Sequence, residues 1–195
     1  MGVPFGFTEP NFDDGDDTDE RLPRIPKDAW VRGMFLQEIV DEGRTRGVDL
    51  GGSFTAFHKY PLDQFMRLLQ RGAHEIYPDL PFGRALYELG RVSYPNFAKS
   101  LAGKALFAVA AGSFRRFLEL STRGYEVTTG PAKVTTRFLS STEAIVTYRQ
   151  VWAYPATYQV GVAAGAMETT GVTGELRVQR LDLDQADLYI RWRRR

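Results

Sequence analysis

Near the C-terminal end the chain alternates apolar and polar residues in four stretches, 133–139, 143–152, 175–181 and 186–192, and between the second and third lies a small-residue segment, 157–170. Alternation with a period of two puts one side of each strand in a core and the other in water. Val134, Thr136 and Phe138 share a face, as do Ala144, Val146 and Tyr148 on the next strand, with a turn at 140–142 that makes the pair a hairpin. Leu176 and Val178, then Ala186, Leu188, Ile190 and Trp192, repeat the pattern after the small-residue segment. That segment is too apolar to be a loop and carries Gly161 and Gly165 four residues apart, one helical turn, so it reads as a helix packed closely on the sheet. The expected order is strand, strand, helix, strand, strand.

Upstream the period is helical. From Asp28, Trp30, Val31, Met34, Phe35 and Ile39 recur at helical spacing until Gly43. Pro61 opens a second helix with a Leu62, Phe65, Met66, Leu69 stripe, and Pro78 stops it. Helices are expected over 82–92 and 96–110, with Pro95 breaking or kinking the chain between them. Ser113 caps another, carrying Phe114, Phe117 and Leu118 and closed by Gly124. Helices first and antiparallel strands later define an α+β chain, with an N-terminal helical half packed on a C-terminal antiparallel sheet of ββαββ type.

Residues 1–27 hold seven acids against three bases, a local charge of −4 that leaves +5 on the remainder of a chain whose total is +1. Rich in Gly, Pro and Asp, this segment reads as a disordered acidic tail, and 28–195 as one unit. The acids lack the spacing of a calcium loop. A body of +5 is no concentrated basic stripe, so nucleic acid is not an expected partner. The Arg191, Arg193, Arg194 and Arg195 terminus reads as the solvated end of an edge strand. With no cysteine there is no disulfide framework, thiolate metal site or Cys nucleophile, which points to the cytoplasm. No apolar run is long enough for a membrane span.

Catalytic patterns are missing. His58 and His74 are the two histidines, and neither is paired at zinc-protease spacing. The sequence holds no nucleophile elbow, phosphate loop or dinucleotide fingerprint: Gly103-Lys104-Ala105 lacks the magnesium-binding hydroxyl. Glu38, Glu75, Asp79, Glu88, Glu119, Glu143 and Glu168 are scattered singly. No cofactor or metal is expected, although haem held by His74 or His58 is conceivable. Aromatic residues are plentiful, and Tyr94, Phe97, Phe107, Phe114, Phe117, Trp152, Tyr154 and Tyr158 gather where the helical half meets the strands. Such a junction is where an apolar pocket forms, so these eight are the candidate ligand contacts. The expected role is a non-catalytic sensor that holds an apolar small molecule or a peptide and signals to a partner. The alternatives are an adaptor acting through a homodimer or protein contacts without a pocket, and an enzyme using groups such as His74 and Glu75.

Several short strings carry a resemblance. Tyr60-Pro61-Leu62 with Arg67-Leu68-Leu69, Ile76-Tyr77-Pro78-Asp79-Leu80, Glu88-Leu89-Gly90-Arg91, Ser100-Leu101-Ala102-Gly103 and Tyr158-Gln159-Val160-Gly161 with Gly165-Ala166-Met167 resemble a paralogous family of uncharacterised myxobacterial proteins over about residues 30–192. The C-terminal half is similar to the vinyl-4-reductase type of ligand-binding domain, a fold shared with haem nitric-oxide-binding domains and vesicle-tethering subunits. The resemblance implies a dimeric sensor or adaptor with an apolar pocket. It transfers no functional residue, because the metal-binding cysteines are absent and Tyr189-Ile190-Arg191-Trp192-Arg193 lacks the Ser of a haem-propionate motif.

Overall fold

The computed structural model describes residues 2–99 and 113–194, the side chains of 95–99 excepted. A short helix α1 (Thr18–Arg21) leads to strand β1 (Trp30–Arg32) and helix α2 (Gly33–Thr45). Strand β2 (Lys59–Pro61) precedes α3 (Leu62–Ile76) and α4 (Phe82–Lys99), and α5 (Phe114–Thr128) runs into β3 (Thr129–Gly130). The three short strands form a small antiparallel sheet in the order β2–β1–β3. Next come β4 (Lys133–Phe138), β5 (Glu143–Arg149), α6 (Tyr158–Thr169), β6 (Val172–Asp182) and β7 (Gln185–Arg194). Those four strands make an antiparallel sheet in the order β4–β5–β7–β6, so the chain is α+β with the ββαββ order its sequence implies.

Register explains the sheet's inner face. Leu188 stands opposite Val146 on one side and Val178 on the other, and all three are buried. Val160, Ala163, Ala166 and Met167 of α6 join the same core cluster, so this helix covers the sheet. A second cluster unites α2, α3 and α4 around Leu36, Ile39, Met66, Leu69 and Leu89. Between them, α4 and α6 cross with their backbones almost touching. A Cβ on Gly90 would lie 2.1 Å from the Tyr158 carbonyl oxygen, and one on Gly161 would lie 2.1 Å from that of Tyr87. Gly161 therefore faces a helix rather than the sheet, while Gly165 is buried in α6.

Other boundaries differ from their sequence-based expectation. Trp30 and Val31 belong to β1, and α2 starts at Gly33, where a Cβ would meet the Thr55 carbonyl oxygen at 2.3 Å. Helix α4 continues through Pro95 to Lys99, because the missing donor and the crowding of the preceding turn are a local cost that the surrounding helix can absorb. The remainder of the expected 96–110 helix falls outside the described residues. Gly124 does not close α5, which extends one turn further to Thr128. Strand β7 is interior, and Arg191 is paired there, its Nε 2.7 Å from Glu143 Oε1.

The acidic segment is the largest difference. Instead of trailing as a flexible tail, it lies along the body: Thr8 bridges Val178, and the Phe12 ring packs on Tyr87 at 4.8 Å. Arg21 is 3% exposed, paired with Asp17 at 2.7 Å, donating to the Leu183 and Trp152 carbonyls and lying 4.5 Å over the Tyr154 ring. Asp14 and Asp17 both receive Arg180, and Asp16 receives His74 Nε2 at 2.8 Å. Composition favoured disorder because it weighs only the segment's own side chains; the body supplies cations and carbonyls that match its acids and its arginine. Among the described residues, no helix is long and apolar enough to cross a membrane.

Candidate functional site

An apolar cavity of about 130 Å³ lies where the two core clusters meet. Helix α2 contributes Phe35 and Glu38, α3 Phe65, α4 Ser93 and Tyr94, α5 Phe117 and Tyr125, and α6 Tyr158, Gln159 and Val162. The segment joining β5 to α6 closes one wall with Val151, Trp152 and Ala153. This segment is bent unusually: Gln150 and Tyr154, on either side of that wall, have φ of 57° and 45°, the left-handed region that non-glycine residues seldom adopt. A tight turn, Tyr154 N to Trp152 O at 2.7 Å, holds the bend. Such strain persists only where surrounding contacts fix it, and here it presents Trp152 to the cavity.

The residues proposed as ligand contacts divide into four groups. Tyr94, Phe117, Trp152 and Tyr158 line this cavity. Phe114 instead packs into the sheet-side core, edge-on to Trp192 at 5.2 Å. Tyr154 belongs to the dock of the N-terminal segment, bonded to Thr18, beneath Arg21 and edge-on to Phe82. Phe107 and the side chain of Phe97 lie outside what the structure describes. Glu38, Phe35, Phe65, Tyr125 and Gln159 line the cavity without having been singled out.

Most polar groups in the wall satisfy one another. Tyr158 OH is 3.1 Å from Ser93 Oγ, which also donates to the Leu89 carbonyl at 2.9 Å. Tyr125 OH donates to Gln159 Oε1, whose amide nitrogen donates to the Ala153 carbonyl at 3.3 Å. Burial pushes the Tyr125, Tyr94 and Tyr158 phenols up, which keeps them protonated. Two atoms break the pattern. Among the described residues, Glu38 Oε2 and Trp152 Nε1 are the buried side-chain polar atoms without a hydrogen-bond partner, and both residues line this cavity. Glu38 as a residue keeps partial accessibility, but its Oε2 is shut off from solvent. Burial pushes its carboxyl well above the ordinary carboxylate range, and the nearby Asp41 charge adds to the rise.

Both histidines lie away from the cavity. His74 is exposed on α3, stacked on Phe82 and bonded to Asp16, and His58 sits edge-on to Tyr60 at 4.9 Å. His74 and Glu75 do not converge on a cleft; Glu75 pairs with Arg71 at 3.1 Å. Among the described residues, no group of three or more His, Asp or Glu side chains could share a metal ion.

Solved structures of similar shape include H-NOX proteins. That of the H-NOX domain from Shewanella oneidensis in the Fe(II)CO state aligns with TM-score 0.65 at 10% identity, covering 83% of this chain and 98% of that one. The Fe(II) unliganded H-NOX protein from K. algicida aligns with TM-score 0.60 at 11% identity over 84% and 97%. A structure concerned with haem redox potential and protein-induced porphyrin distortion aligns with TM-score 0.54 at 14% identity over 83% and 96%. Identities this low establish a shared fold. No curated protein matches the sequence. One family does, over residues 25–193, which span every helix and strand from β1 to the main sheet, and the chain therefore belongs to the DUF2378 family, described as a protein of unknown function.

Proposed function

We propose that this chain is a non-catalytic sensor that holds a small apolar molecule in the cavity between its helical half and its sheet. The observation that carries this reading is the cavity itself. Close-packed interiors rarely leave a void larger than a water molecule, whereas about 130 Å³ stays open here, walled by aromatic rings and bounded by a strained segment. An engineered cavity of about 150 Å³ admits benzene. The volume favours a compact molecule over a peptide, being far below the roughly 300–1,000 Å³ of drug-sized sites. The strained Gln150–Tyr154 segment touches both the cavity and the docked N-terminal segment, a route by which occupancy reaches the surface and a protein partner or second copy.

Haem, which the neighbours' fold brings to mind, does not fit the residues present. Both histidines lie outside the cavity, the chain has no cysteine, and the described wall offers no Lys or Arg to meet propionates. A porphyrin also exceeds the open volume. Haemin added to the purified protein is expected to give no stoichiometric shift of its Soret band.

The direct test uses toluene as probe, followed by nuclear magnetic resonance of the cavity side chains and by thermal melting. Saturable shifts at Val162 and Val151 with a raised Tm are expected, and Val162→Phe, which fills part of the space, should abolish them. A protein that shows no saturable response to toluene, benzene or xenon has no receptor cavity, and the reading falls.

A further inference from the structure

We infer that the ligand is a neutral, compact apolar molecule carrying one hydrogen-bond-accepting oxygen, such as an aromatic or alicyclic alcohol, aldehyde or ketone, and that Glu38 and Trp152 recognise that oxygen. This inference rests on reading the cavity as a ligand site and specifies the chemistry of its occupant.

Buried polar atoms in folded proteins are nearly always bonded, and each one left bare carries a desolvation cost. Here the two bare ones in the described residues belong to the wall of one cavity, while the hydroxyls and amide around them are already engaged with each other. The rest of the wall's polar groups named above are already engaged, so a guest gains most by bonding to these two residues. The indole N–H is a donor only. Burial favours the protonated form of the Glu38 carboxyl, which also carries a donor, so the complementary group is an acceptor. An ether, carbonyl or hydroxyl oxygen has two lone pairs and can accept from either or both. A carboxylate or phosphate guest would find no Lys or Arg among the described wall residues to balance its charge. An ammonium guest would require Glu38 to ionise and would leave the Trp152 N–H bare.

The experiment compares four probes of nearly equal size on the full chain: toluene, benzyl alcohol, benzaldehyde and benzylamine. Calorimetry measures affinity, and the indole N–H resonances report bonding at Trp152, assigned with Trp152→Phe. Benzyl alcohol and benzaldehyde should bind about tenfold more tightly than toluene, the gain expected of one or two added hydrogen bonds, and should move the Trp152 N–H signal downfield. Glu38→Leu should reduce that preference, read as the ratio of benzyl alcohol to toluene affinity within the same variant, to a few-fold, and Glu38→Gln, whose amide still donates, should restore it. If Glu38→Leu fails to fold, the probe series on the unaltered chain together with Glu38→Gln still decides.

Toluene and benzyl alcohol binding equally would overturn the inference while leaving the cavity reading intact. Benzylamine binding tightest, with loss in Glu38→Gln, would also overturn it, because Glu38 would then act as an anion. A chain that binds none of the four defeats the cavity reading itself.

Discussion

Glu38 carries a carboxyl where water cannot reach one of its oxygens, and its proton is the residue-scale signature of the site. Its ordinary value is 4.5 and the folded value lies well above it, so the folded chain prefers the protonated form. The stability this contributes is complete below about 4.5, the unfolded value, and is lost as pH rises through the folded one. Glu38→Gln cannot ionise; melting curves across pH 4 to 9 should therefore show its Tm gaining on that of the parent as pH rises, and parallel curves would refute the buried-acid assignment. Little in the sequence marked this residue. It lies on the side of α2 away from the buried Leu36, Ile39 and Val40, and as a lone acid it looked like a solvated charge. The available signal was the spacing itself, since Met34 and Phe35 of the apolar stripe stand one turn before Glu38 on the same side. Glu38 lines a wall shared with α6 and the segment after β5, elements remote in sequence and invisible to any local pattern.

The crossing of α4 and α6 decides the geometry at the next scale, because it sets how close the helical half comes to the sheet. Gly90 and Gly161 each sit against a backbone carbonyl that cannot retreat without moving its helix. Gly161→Ala and Gly90→Ala should each cost about 1–3 kcal/mol by overpacking, less than additively together, since one insertion already separates the helices. Gly124→Ala in α5 is the control. Nothing lies within 4 Å of a Cβ there, so urea unfolding should find it neutral or more stable by about 0.5–1 kcal/mol, the helix-propensity gain. The small-residue character of α6 was readable, and so was the need for close packing at Gly161. Its partner was not, because a glycine shows that something approaches without saying what. Sheet packing was the natural expectation for a helix set between strands, and a second helix occupies that face instead.

At the scale of the whole molecule, the acidic N-terminal segment and the body form one charge-matched assembly. Arg21 is the anchor, buried among the Asp17 carboxylate, two carbonyls and the Tyr154 ring. Arg21→Ala leaves those acceptors without a partner and should cost about 3–5 kcal/mol. Limited proteolysis should then cut within residues 8–24, a stretch that stays protected in the parent; equal cleavage of both would show that the segment is not docked. Asp16 adds an acid dependence. Burial raises its carboxyl, but hydrogen bonds from Thr18, His74 and Gln70 outweigh that and hold it below its ordinary 3.8. Its contribution to docking is present above that value and disappears as pH falls through the lowered one. The alternation of the last strands and the helical stripes before them determined by themselves the α+β class, the ββαββ order and the faces that turn inward, since a residue's side is dictated by backbone period alone. How those faces meet was decided only in three dimensions: which helix lies on Gly161, whether the acidic segment finds its cations, and that an aromatic seam is left open beside Glu38 and Trp152. Packing and charge pairing join residues far apart along the chain, and neither can be computed from a local window.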